Sequence, residues 1–133
     1  MLPQAPKFTR TRRGGKLIHY GFSRRPALGK AEREWTVDGD RFSIEDRLEG
    51  TGSHRICRRY VVCGNVTVDG PAATVKTGGR IYRIEAETEA RKIDISRWDA
   101  YGSAAPATII EYHHREKLPC RNQTVIERLG TGN

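Results

Sequence analysis

Tyr82, Tyr101, Tyr112, His54, His113 and His114 are candidate side chains for moving protons, and they lie among many arginines. Removing a proton from a carbon beside a carboxylate, with loss of an oxygen from the next carbon, needs three parts. They are a base, an acid for the leaving oxygen, and a cation or amide that neutralises the carboxylate and so acidifies the proton. Residue types alone do not make such a site. Each tyrosine reads better as an amphipathic core residue with its hydroxyl at the rim, so no catalytic residue is assigned. Gly78-Gly79-Arg80 reads as a turn rather than a phosphate loop, and no Ser-His-Asp order stands out.

Metal ligation gets no support from spacing. On one strand Cys57 and Cys63 would stand about 20 Å apart, at roughly 3.3 Å per residue. Neither a disulfide nor a shared ion spans that distance. With Cys120 they read as free thiols, and no CxxC spacing occurs. His113 and His114, as neighbours on a strand, point to opposite faces. A ligand set would need His54 or His19 to join one of them, with a carboxylate such as Asp94. The sequence implies no metal and no cofactor.

The basic clusters are better founded. The formal charge is +8, which favours polyanionic partners. Arg55, Arg58 and Arg59 share one run, His113, His114, Arg115 and Lys117 end another, and Arg24-Arg25 follows Phe22. Guanidinium forks hold carboxylates and sulfates bidentately. Arg55, Arg58, Arg59, His113 and Arg115 are therefore the candidate ligand-binding residues. The competing reading is a solvated face paired with the 16 acidic residues.

Short strands must position these groups. The apolar fraction is 36%, low enough that each element should bury one face and leave the other wet. Runs at Lys16–Tyr20, Ala31–Val37, Arg41–Leu48, His54–Cys63, Val66–Val68, Ala73–Thr77, Arg80–Thr88, Ala107–His113 and Gln123–Leu129 are punctuated by Gly, Pro and Asp. Asp38-Gly39-Asp40 makes the clearest hairpin. Ile93 and Ile95 continue a period of two, and Glu87–Trp98 fits a helical period only loosely. Asp99–Pro106 reads as a loop. The expectation is an all-β, antiparallel β-sandwich of roughly 9–10 short strands, with residues 1–15 a basic flexible or edge-lying arm and 16–130 a single sandwich domain.

Three stretches carry a family resemblance. The first runs from Trp35 through Asp46-Arg47-Leu48-Glu49-Gly50 to Gly52-Ser53-His54. The second is Ser96-Arg97-Trp98-Asp99-Ala100-Tyr101-Gly102. The third spans Pro106-Ala107-Thr108, Leu118-Pro119 and Thr124-Val125-Ile126. In order and spacing, residues about 21 to 128 resemble the C-terminal β-sandwich region of the heparinase II/III-like polysaccharide lyases. Members usually carry a His-Arg pair before the hairpin, where this chain reads Gly29-Lys30-Ala31-Glu32-Arg33. The resemblance implies a scaffold module with basic contacts to a uronic-acid polysaccharide. The α-helical toroid that does β-elimination in those lyases would not fit in this length, so the chain alone is not expected to be a complete enzyme. It would be a C-terminal piece or a stand-alone relative.

Two other functions were weighed. A nucleic-acid-binding β-barrel would suit the charge, but aromatics are only 8% and no strand carries paired exposed rings for stacking bases. A purely structural or oligomerising domain needs no ligand at all. Met1–Lys7 holds no apolar leader and no stretch reaches the length of a membrane span. A piece of a lyase would be periplasmic or extracellular, and otherwise the chain would be cytoplasmic.

Overall fold

The computed structural model describes residues 6–20, 28–100 and 103–131. Among them there is no helix, and eleven strands follow one another. They are β1 (Lys7–Arg10), β2 (Gly14–His19), β3 (Leu28–Asp38), β4 (Arg41–Gly50), β5 (Ser53–Val62) and β6 (Asn65–Asp69). Then come β7 (Ala72–Thr77), β8 (Arg80–Glu85), β9 (Ala90–Ala100), β10 (Ser103–Lys117) and β11 (Cys120–Thr131). They form an all-β sandwich of two antiparallel sheets. One has the order β1-β2-β3-β4-β11-β8-β7-β6 and the other β5-β10-β9.

Turn chemistry fixes the hairpins. Asp38 faces Arg41 across β3 and β4, and Gly39 takes φ 61° as the first central residue, as a II′ turn requires. Between β7 and β8, Gly78 and Gly79 both have positive φ, 57° and 73°, the I′ pattern that suits right-twisted strands.

The structure holds more strand than the sequence reading named, in two places. Within residues 1–15, expected as a flexible or edge-lying arm, Lys7–Arg10 is an edge strand paired with β2 from Lys7↔Ile18 to Arg10↔Gly15. The Phe8 ring packs on Trp35, centroids 5.8 Å apart. Gly15 leaves room for that contact, since a Cβ there would meet the Trp35 ring at 2.9 Å and Phe8 at 3.0 Å. The expected loop Asp99–Pro106 shrinks as well. β9 continues to Ala100, β10 starts at Ser103, and Pro106 lies opposite Ser96. The number of strands rises accordingly.

The chain makes two compact units, residues 1–55 with 115–125, and 56–114 with 126–133. In the first, Ala31, Ile44 and Leu118 are buried with Thr124, and Asn122 is held by Glu116 at 2.7 Å. In the second, Val66, Ala73, Val75, Ile84, Ala86, Ala90, Ile110 and Tyr112 form one apolar core. Tyr60, Val62, Val68, Tyr82 and Ile126 pack against it. Burying one large apolar side chain contributes roughly 1.5–3 kcal/mol, so this cluster is the main stabilising feature of its unit.

Candidate functional site

In the first unit much of the charge is spent within the protein. Arg33 grips Asp46 bidentately at 2.7 and 3.0 Å. Arg47 meets Glu32 at 2.5 Å, Glu45 at 2.9 Å and Glu34 at 3.2 Å, and Arg121 reaches Glu45 at 3.0 Å. Glu32↔Arg47 and Arg33↔Asp46 are direct cross-strand partners, the arrangement in which opposite charges stabilise a sheet. A groove of about 330 Å³ beside them is lined by Lys30, Glu32, Arg47, Glu49 and Arg121, and each of these charges has a partner of opposite sign within the unit.

Hydrogen bonding from Arg47, with Lys16 nearby, holds the Glu32 carboxyl below the ordinary glutamate value of 4.5. A depressed carboxyl stabilises the fold above its unfolded pKa and loses that contribution as pH falls through its folded one. Stability is therefore expected to drop as pH falls below about 4.5, the ordinary value of this group. Urea titrations from pH 7 to pH 3 check this, and Glu32→Gln should flatten the difference.

Strand β5 alternates. Arg55, Cys57, Arg59 and Val61 are exposed, while Ile56, Arg58, Tyr60 and Val62 turn inward. Arg58, one of the candidate ligand-binding residues, thus shares the inward parity of Ile56, Tyr60 and Val62. It is 4% exposed, bonds Glu87 at 2.8 Å and lies over the Tyr112 ring at 5.7 Å.

In the first unit, Leu118 N–H donates to the Gly52 carbonyl at 2.8 Å, which sets how β10 lies along β5. Three residues further along that pairing, Arg55 faces Arg115, with Lys117 on the same side. All three are exposed, and among the described residues none forms an ion pair. Like charges directly opposite one another repel.

The proton-moving side chains do not converge. Tyr112 is fully buried and Tyr82 packs on the core. His54 Nε2 lies 2.8 Å from the Thr51 carbonyl, and Asp94 accepts from Thr108 Oγ1 at 3.3 Å. Tyr101 and Arg24-Arg25 fall outside the described residues.

The second unit brings together a group that the sequence reading missed. Cys57 Sγ lies 3.4 Å from Glu111 Oε2 and 3.6 Å from His113 Nε2, and those two atoms are 3.5 Å apart. Arg59 Nε donates to the same Glu111 oxygen at 2.5 Å. Its hydrogen bond keeps the Glu111 carboxyl below its usual range, while burial and then Glu111 raise the Cys57 thiol. The signal in the sequence was parity: Cys57 shares a face with Arg59, and Glu111 shares one with His113.

Over residues 3–126 the chain matches the family described as heparinase II/III-like, C-terminal. Among solved structures it is similar to a heparan sulfate lyase HepC mutant from Pedobacter heparinus, at 11% identity and TM-score 0.74, covering 98% of this chain and 22% of that one. A heparinase III gene product is similar at 15% identity and TM-score 0.70, covering 98% of this chain and 21% of the other. A 4-alpha-glucanotransferase from Thermococcus litoralis follows at 12% identity and TM-score 0.61, covering 95% and 23%. The chain thus spans about a fifth of the length of the solved chains it matches. Curated protein sequences give no match.

Proposed function

The chain belongs to the heparinase II/III-like C-terminal family, and from that premise we propose that it is a β-sandwich scaffold contributing basic contacts to an acidic, uronic-acid polysaccharide. Catalysis by β-elimination belongs to a larger helical partner region, the toroid of a parent lyase. One observation carries the glycan reading: Arg55 and Arg115 are exposed and opposed beside Lys117, with no carboxylate bonded to them among the described residues. An anion between two opposed guanidinium groups relieves their repulsion and accepts bidentate hydrogen bonds. A carboxylate or sulfate on a sugar chain has that chemistry. Arg59 and His113 already face Glu111, so they contribute less.

The test is affinity electrophoresis against alginate, hyaluronan and heparin, with polynucleotide as the control, at about 0.15 M salt, where the Debye length is about 8 Å. Selective retention by one uronate polymer is expected. Arg55→Ser with Arg115→Ser should weaken it at least about tenfold, or 1.4 kcal/mol. Equal retention of polynucleotide, lost with salt and indifferent to the double substitution, would overturn the reading.

A further inference from the structure

We propose that Cys57, Glu111 and His113 form a Zn²⁺ site whose fourth position opens to solvent. The argument is geometric and does not rest on the glycan reading. Zinc binds thiolate at about 2.3 Å and imidazole or carboxylate at about 2.0–2.2 Å, so adjacent donors of a tetrahedral ion stand about 3.3–3.6 Å apart. The three edges here are 3.4, 3.5 and 3.6 Å. They outline one face of that tetrahedron, and an ion enters without moving either strand. The three donors are a soft thiolate, an imidazole and a carboxylate, which select zinc over magnesium or calcium.

The surroundings fit as well. Cys57 is exposed, so an ion and a water molecule reach the open position. Glu111 is buried, and the Arg59 hydrogen bond fixes its orientation while leaving lone pairs for an ion. On binding, the Cys57 S–H bond breaks, its proton passes to solvent and the sulfur–metal bond forms. Thiolate and carboxylate together balance the charge of the ion, and no oxidation state changes.

The whole chain, stripped with chelator, is titrated with Co²⁺ as a spectroscopic substitute and then with Zn²⁺. A single equivalent of Co²⁺ should give a near-ultraviolet thiolate-to-cobalt charge-transfer band that Zn²⁺ displaces and Mg²⁺ or Ca²⁺ does not. Cys57→Ser should abolish the band, His113→Ala should weaken Co²⁺ affinity at least about tenfold, and Cys63→Ser should leave both unchanged. Cys57 and Cys63 are surface residues, so these variants keep the fold, with circular dichroism as the check. Absence of the band at stoichiometric Co²⁺, or its survival in Cys57→Ser, would reduce the cluster to a hydrogen-bonded thiol and overturn the proposal.

Discussion

Tyr112→Ala is expected to cost the protein about 3–5 kcal/mol, the range for removing a large aromatic side chain from a core. Tyr112 is 0% exposed, and its ring meets Tyr60 edge-on with centroids 6.4 Å apart. Its hydroxyl donates toward the carbonyls of Pro71 and Ile84, at 3.3 and 3.4 Å. Tyr112→Phe keeps the ring and should cost only about 1 kcal/mol. Guanidinium unfolding of both variants separates packing from hydrogen bonding. A cost below about 1 kcal/mol for Tyr112→Ala would mean that the cavity collapses, contrary to this account. The two variants also differ in alkali. Burial, then Tyr60, pushes the Tyr112 hydroxyl up to about 12. Its contribution is complete below the ordinary 10 and is lost as pH rises toward 12. The slope is at most about 1.4 kcal/mol per pH unit. Tyr112→Phe should lack that component.

The second large effect lies beside it. Arg58→Ala is expected to destabilise by about 3 kcal/mol, the low end of the range for breaking a buried ion pair. The reason for the low end is that Glu87 has 46% of its side chain exposed and can return to water, whereas Arg58 has 4%. Arg58→Met keeps the stem against the Tyr112 ring and removes the buried charge, so about 1 kcal/mol is expected. Polysaccharide affinity of the folded protein should be unchanged in both. Chemical denaturation paired with affinity electrophoresis checks this, and a loss of retention in folded Arg58→Met would return Arg58 to the binding surface. Arg55 and Arg115 should behave in the opposite way, affecting retention with little change in stability.

The hairpin from Trp35 to Leu48 was legible because Phe42, Ile44 and Leu48 alternate with charged residues and an Asp-Gly pair marks the turn. Composition and parity carried most of the fold. Ser103–Pro106 was taken for a loop because alanines and a proline show no alternation, although the chain continues as β10. Lys7–Arg10 is too short and too basic to look like a strand in isolation, and its partner β2 supplies the reason to be one. The candidate site was half legible. Cys57 and Arg59 were on one face by counting, and Glu111 and His113 likewise, but they lie more than 50 residues apart in sequence. Only the pairing of β5 with β10 sets them face to face, and a single sequence does not state which strands will be neighbours. Arg58 was grouped with Arg55 and Arg59 by proximity in the chain. The alternation of the strand sends it the other way, beneath the sheet with Tyr60.

Strand β1 closes the eight-stranded sheet and exposes all four of its residues, Lys7 and Arg10 among them. Two copies approaching edge to edge in antiparallel fashion would set Lys7 of one against Arg10 of the other. Cation would meet cation at both ends of so short a ladder, with only Phe8 and Thr9 between them to reward pairing. In that register the charged ends of β1 disfavour pairing of this edge with a second copy of the same edge.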